Sequence, residues 1–192
     1  MNKASFLSRF LFAQPVLQRS EYLSSYQNHE KAAVLIALVE RNNELHIIFT
    51  ERALHLRHHP GQISFPGGKQ ESVDQDLQQT ARRETYEEIG IEGHLIEIIG
   101  QLSPLKTTSG FEVFPFVAFV ESNFTLKVDA QEVKSVFEVP LRFLLEDQNY
   151  YYQRLIANKK RHFTYCIAFQ NHLIWGATAL ISKNLQRMLQ QH

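Results

Sequence analysis

The chain has 192 residues, with 20 Lys plus Arg against 20 Asp plus Glu, nine His and one Cys, and a pI near 7.1. That length favours one domain with a sizeable core, and zero net charge argues against a partner recognised by bulk positive charge, such as nucleic acid or an anionic membrane. A lone Cys166 removes any internal disulfide framework and any Cys-rich zinc site, which fits a reducing cytoplasm.

At the N-terminus, Phe6, Leu7, Phe10, Leu11 and Phe12 form an apolar cluster within Met1 to Pro15. Arg9 interrupts it and no small-residue cleavage site follows a continuous apolar run, so a secretion signal is not expected. No stretch approaches the roughly 20 apolar residues of a membrane-spanning helix. Ala32 to Val39 and Leu45 to Thr50 read as paired strands around the turn-prone Arg41, Asn42 and Asn43, and Gln62 to Phe65 as a third. Pro66, Gly67 and Gly68 then stop regular structure. A helix follows, started by a Ser72/Gln75 capping box or by Asp74 as N-cap, and ended by Gly90. Leu95 to Ile99, Glu112 to Val120 and Val136 to Val139 read as strands. Tyr150 to Ile156 and Phe163 to Phe169 form a hairpin around the polar turn Asn158 to His162. A second helix runs from about Ala177 to Leu189. Strands outnumber two well-separated helices, which predicts an α/β class, with a mixed sheet and helices on its faces.

The segment Glu71 to Glu92 holds seven carboxylates against two Arg. Glu84, Glu87 and Glu88 stand at i, i+3 and i+4 and so share one helix face, where like charges repel and call for a cation. Oxygen ligands without His or Cys select Mg²⁺ or Mn²⁺. A solvated acidic face is the alternative. The weakly apolar stripe Leu77, Ala81, Thr85 and Ile89 lies beside the patch rather than opposite it, which sets the carboxylates at the rim of the buried face.

Arg83-Glu84-Thr85-Tyr86-Glu87-Glu88-Ile89-Gly90-Ile91 resembles the second half of the Nudix hydrolase signature, G-x5-E-x7-R-E-U-x-E-E-x-G-U, with U aliphatic. Thr85 departs from the aliphatic position. Fourteen residues separate Gly68 from Arg83 where the general signature has 13. Counting back from Arg83 puts Gln75 at the signature's first Glu, although Asp74 is the nearer chemical equivalent. This longer spacing resembles the coenzyme A pyrophosphatase branch. Phe49 to Gly68 is similar to that branch's additional motif, L-L-T-x-R-S-x-x-L-R-x-H-x-G-Q-V-x-F-P-G-G, departing at Phe49 and Ala53. Glu132-Val133 through Leu141 and Ile174 to Ala179 are also similar to the branch.

The resemblance implies a Nudix-like α/β/α sandwich with a metal-binding loop-helix-loop, in one domain spanning residues 1–192 with an N-terminal extension over 1–30 and a core over about 31–192. It implies Mg²⁺ or Mn²⁺ held by Glu84, Glu87 and Glu88, with Arg83 pairing with carboxylates and orienting the ligands. Glu132 is the candidate for a further ligand or a general base, with a solvated loop Glu as the alternative. Gly67 and Gly68 allow close backbone approach to a ligand.

From Arg52 to Lys69 the chain has three basic residues, three His and no acid, a block suited to substrate phosphates. The resemblance points to Arg52, Arg57 and His59, while His55 and His58 read as plain loop residues. Cys166 reads as a buried strand residue, and Lys159, Lys160 and Arg161 as a solvated basic turn. The expected activity is metal-dependent hydrolysis of the pyrophosphate bond of coenzyme A or acyl-coenzyme A in the cytoplasm. The partner is then a small-molecule substrate, without nucleic acid or membrane, and a homodimer is admitted. Hydrolysis of ADP-ribose or a dinucleotide is the enzymatic alternative. A silent nucleotide-sensing or protein-binding module is the other, opposed by three intact, mutually repelling Glu.

Overall fold

The computed structural model describes residues 1–13, 29–157 and 160–191, with the backbone alone for 155–157 and 160–162. An apolar run without polar alternation needs cover on both faces. Strand β1 (Glu30–Arg41), which carries Ala32 to Val39, has that cover at the centre of an eight-stranded sheet. Its Ala33, Leu35, Ala37 and Val39 enter one apolar cluster, and Ile36 and Leu38 enter another. The second cluster includes Phe6 and Phe10 of helix α1 (Lys3–Phe12), one turn apart and both buried. The apolar N-terminal cluster thus forms an amphipathic helix, started by the Asn2 side chain accepting from Ser5 N–H. Arg9 already speaks against a secretion signal, but periodicity over so few residues does not mark the run as a helix.

Strand β2 (Glu44–Arg52) pairs antiparallel with β1 over Leu38 to Arg41. It then turns aside to meet β3 (Ile63–Ser64). The edge of β1 thus freed, Ala32 to Val34, pairs with β4 (Gly67–Lys69). Pro66-Gly67-Gly68, expected to stop regular structure, therefore leads into a short strand. A ladder needs only backbone groups, and Gly67 supplies them at close range. With φ at +148°, a Cβ on Gly67 would stand 2.3 Å from the Ala33 carbonyl oxygen.

Helix α2 (Leu77–Ile89) lies on the first cluster, with Ala81 against a strand face that presents Ala33, Ala37 and Ala118. Small side chains on both sides let helix and sheet approach closely. Gly90 ends the helix in the left-handed region at φ +77°, as expected. The start differs from expectation. Asp76, rather than Ser72/Gln75 or Asp74, is the N-cap, its side chain accepting from Gln79 N–H at 2.8 Å.

Strands β5 (Ile96–Gln101), β6 (Leu105–Lys106) and β7 (Phe111–Val120) follow, with β7 parallel to β1 and antiparallel to β5 and β6. Strand β8 (Val133–Pro140) pairs with β2 and leads into the short helix α3 (Leu141–Leu144). One parallel pair among antiparallel ones makes the sheet mixed, as expected. A second, three-stranded sheet holds β9 (Tyr150–Ala157), β10 (Lys160–Phe169) and β11 (His172–Trp175). Its hairpin ladder reaches Ala157 opposite Lys160, so pairing extends into the expected turn. Asn158 and Lys159 lie outside the described residues, as do the side chains of Lys160 and Arg161. Helix α4 (Gly176–Leu189) packs with α1 on the face of the main sheet away from α2, completing helix, sheet and helix layers. Cys166 is buried in β10, as its strand position predicts. Among the described residues no helix is long and apolar enough to cross a membrane.

Candidate active site

Asp74, on the loop before α2, has a fully buried side chain. It accepts from Arg83 Nε at 2.9 Å and Nη2 at 3.0 Å, from Thr80 Oγ1 at 2.9 Å and from Glu71 N–H at 2.9 Å. Those bonds, the guanidinium first, hold its carboxyl far below the usual range and push the Arg83 guanidinium up. This is why Asp74 does not cap the helix: its oxygens are committed to Arg83 and Thr80. Arg83 also donates through Nη2 to the Lys69 carbonyl, tying α2 to β4.

The other guanidinium nitrogen, Nη1, bonds Glu84 at 2.9 Å and Glu87 at 2.7 Å. Of the three Glu, the helix turns Glu88 inward and Glu87 outward, at 3% and 53% exposure. Glu84 is intermediate and lies under Gly68, where a Cβ would fall 2.4 Å from the Glu84 carboxyl carbon. Gly68 therefore leaves room for that carboxylate, while Gly67 donates its N–H to Glu88 Oε2 at 3.3 Å. Thr85, which stands at the signature's aliphatic position, is buried and returns its hydroxyl to the Ala81 carbonyl at 2.6 Å. The departure thus leaves no buried polar atom without a partner there.

Burial pushes the Glu88 carboxyl up to about 8. The charges of Glu84 and Glu132 act in the same direction, and the Gly67 N–H and the Arg52 charge oppose it. Glu84 is raised as well, by burial first and then by Glu87 and Glu132, against the pull of Arg83. Glu132, on the exposed turn before β8, thus shares a field with Glu84 and Glu88 although it is distant in sequence. Its backbone fixes it there: the Glu132 carbonyl accepts from Ala53 N–H at 2.8 Å.

Arg52 reaches the same region. The pairing of β2 with β8 shifts register between Glu51 and Arg52, a bulge of the kind that re-aims a side chain. Arg52 bears electrostatically on both Glu88 and His59. The loop beyond it is closed by Arg52 N–H on the Gln62 carbonyl and Gly61 N–H on the Arg52 carbonyl. His59 sits at φ +54° on that loop. Its imidazolium is disfavoured by partial desolvation and by the charges of Arg52 and His58. Arg57 is exposed on the same loop.

The structure thus brings together Glu84, Glu88, Glu132, Arg52 and the Gly67-Gly68 backbone. Glu87 joins through Arg83, and Arg57 stands at the loop surface. Among the described residues no three ligating side chains already converge on one point. Arg83 acts instead as the internal cation of Glu84 and Glu87. The donor set nonetheless fits a hard divalent ion. It offers carboxylate oxygens alone, and burial first, then the charges of neighbouring carboxylates, holds two of them above their ordinary range, a penalty that an added cation offsets.

Sequence reasoning does not reach Thr80, since a Thr six residues after an Asp forms no pattern. Within 121–132 it singles out Glu132 but not the docking of the segment's backbone on the end of α2, through Lys127 N–H to the Ile89 carbonyl and Asp129 N–H to the Glu88 carbonyl, both at 3.0 Å. The one signal for that local path is the i, i+2 spacing of Asp129 and Gln131, suited to an Asx turn.

Residues 29–158 match the family model described as the NUDIX domain. The chain is 38% identical over 186 residues to a protein named uncharacterized Nudix hydrolase NudL from Yersinia enterocolitica serotype O:8, covering 97% of this chain and 92% of the relative. It is 36% identical over 190 residues to the protein of the same name from Yersinia pestis, covering 97% and 94%. Among solved structures, a Nudix hydrolase from M. smegmatis, RenU, aligns with a TM-score of 0.51 at 16% identity, over 61% of this chain and 74% of the other. A C. elegans Ap4A hydrolase binary complex aligns with a TM-score of 0.50 at 18% identity, over 58% and 80%. At those identities the structures support the fold.

Proposed function

Because the chain belongs to the Nudix hydrolase family, whose members act on nucleoside diphosphate derivatives with divalent metal ions, we propose that it hydrolyses the pyrophosphate bond of coenzyme A or acyl-coenzyme A. The products are a 4′-phosphopantetheine derivative and adenosine 3′,5′-bisphosphate. Glu84, Glu87 and Glu88 would hold Mg²⁺ or Mn²⁺. Such an ion, when bound, neutralises pyrophosphate oxygens and makes bound water more acidic.

The chain's own residues do the rest. Arg52 and His59 meet substrate phosphate beside Glu88, and Arg57, exposed on the same loop, reads the separate 3′-phosphate. Gly67 and Gly68 would meet the substrate through their backbone, with Gly68 leaving room for the Glu84 carboxylate beside it. Arg83, locked on Asp74, orients Glu84 and Glu87. Glu132 serves as a further ligand or as the base that takes a proton from water. The whole works as one domain.

One observation carries this reading: the acid-free basic loop is fastened beside the buried carboxylates, through Ala53 N–H on the Glu132 carbonyl and through Arg52. A diphosphate with a further phosphate matches a basic loop set against a metal-binding acidic face. The test is hydrolysis of coenzyme A, dephospho-coenzyme A, ADP-ribose and NADH side by side with Mg²⁺ or Mn²⁺. Coenzyme A is expected to be cleaved fastest, and Arg57→Ala to abolish the preference over dephospho-coenzyme A. A clear preference for ADP-ribose or NADH rejects the assignment.

A further inference from the structure

The twelve residues between β7 and β8, 121–132, contain no regular element, yet their path is pinned at successive points. Arg41, held by Glu138 through Nε at 3.1 Å and Nη2 at 2.7 Å, donates to the Ser122 carbonyl at 3.2 Å and lies over the Phe124 ring. Phe124 packs against the apolar cluster under α2. Lys127 N–H then reaches the Ile89 carbonyl, an approach that depends on Gly90, where a Cβ would meet Lys127 Cβ at 2.7 Å.

Asp129 is where the path changes from following the helix to presenting Glu132. Its N–H bonds the carbonyl of Glu88 at 3.0 Å, one of the orphan acceptors at the helix end. Its Oδ1 accepts from Gln131 N–H at 2.9 Å, closing an Asx turn, and its carbonyl accepts from Glu132 N–H at 3.0 Å and Val133 N–H at 2.8 Å. One residue therefore touches the backbone of Glu88 on one side and that of Glu132 on the other. Glu132 in turn holds Ala53, the residue after Arg52.

We propose that Asp129 is a positioning residue, whose Asx turn sets Glu132 at a fixed height over Glu84 and Glu88. This rests on the reading of Glu132 as a working carboxylate of the site. Displacing a reacting group by about 1 Å costs up to about 100-fold in rate. Asp129→Ala removes the acceptor for Gln131 N–H, whereas Asp129→Asn keeps an oxygen in the same place and removes only the charge.

The experiment compares wild type, Asp129→Ala, Asp129→Asn, Glu132→Gln and the double variant Asp129→Ala/Glu132→Gln. Hydrolysis with Mn²⁺ is followed on whichever of coenzyme A and ADP-ribose the wild type cleaves faster, and amide hydrogen exchange is measured at Gln131 and Glu132. Asp129→Ala is expected to lower kcat roughly 10- to 100-fold with KM within about threefold, and to speed exchange at both amides. Asp129→Asn should restore kcat and protection. The double variant should be no slower than Glu132→Gln, since the first change acts only through the second residue. Wild-type kcat in Asp129→Ala, equal impairment of the Ala and Asn variants, or additive losses in the double variant each overturn the positioning role. Wild-type kcat in Glu132→Gln overturns instead the assignment of Glu132 on which it rests.

Discussion

Asp74, just before α2, and Glu88, in its last turn, are both buried acids, and their surroundings treat them in opposite ways. Asp74 accepts bonds from Arg83, Thr80 and the Glu71 N–H, and its charge is stabilised far below the ordinary carboxylate range. Glu88 is pushed up to about 8 by burial first and by the charges of two other carboxylates, and receives only a long bond from Gly67 N–H. The first arrangement is that of a structural tie, since a buried charge persists where its bonds replace the lost water. The second leaves charge uncompensated, as expected where a cation or substrate supplies the missing partner. A buried carboxylate is thus diagnosed by what remains unpaired around it, not by burial alone.

The sharpest way to break this contrast is Glu88→Gln. Activity with Mn²⁺ should fall roughly 10³-fold, as for removal of a group acting directly on the reaction. The unfolding temperature of the metal-free protein at pH 8.5 should not fall, because the amide keeps an acceptor for Gly67 N–H and removes the charge. A variant that stays active, or that unfolds at lower temperature while folding normally, would assign Glu88 to structure instead.

Asp74→Asn should reverse that pattern. Removing one partner of a buried pair costs about 3–4 kcal/mol, which at roughly 2–4 °C per kcal/mol for a chain of this size lowers Tm by about 6–16 °C. Calorimetry or thermal denaturation by circular dichroism checks it. An unchanged Tm would mean that Arg83 is held well enough by Glu84, Glu87 and the Lys69 carbonyl alone.

The two acids also pull stability in opposite directions with pH. Asp74 has a folded pKa below its unfolded one. Its contribution is present above the ordinary Asp value of about 3.9 and is lost as pH falls below it. Glu88 has a folded pKa above its unfolded one, so the stability tied to its protonated form is full below about pH 4.3 and is lost as pH rises towards about 8. The part of the metal-free protein's stability tied to Glu88 should therefore fall by about 3–4 kcal/mol between about pH 5 and 8. Glu88→Gln should flatten that slope in denaturant titrations, and Asp74→Asn should not. The same slope in Glu88→Gln would place the titrating group elsewhere.

How much of this was legible in the sequence depended on the range over which each residue acts. Glu84, Glu87 and Glu88 were legible because helix periodicity is local, and Gly90 because a left-handed stop is a one-residue requirement. The central strands were legible because a run covered on both faces has no polar alternation. Periodicity did not say which Glu turns inward, since that depends on where β1 and β4 lie. The Asp74 and Arg83 pair closes over nine residues through a folded loop, and Asp74 alone looked like a cap. Strand β4 was hidden because its pairing uses glycine backbone, and the docking of 121–132 because it runs through main-chain groups that any residue carries.

The smallest expected effect concerns the acid that took over the cap. Asp76 lies two residues after Asp74 and is exposed; its side chain accepts from Gln79 N–H, while its carbonyl, which a substitution keeps, accepts from the Thr80 N–H and hydroxyl. If the division of labour is correct, Asp76→Ala should cost about 1 kcal/mol, the usual loss for an N-cap, and leave kcat with Mn²⁺ unchanged. Asp76→Asn should recover most of that stability, because the cap needs an oxygen and not a charge. A loss as large as that of Asp74→Asn would mean that the two acids act as one unit. The cap would then hold the loop that keeps Asp74 on Arg83, and the helix start would belong to the same structural tie.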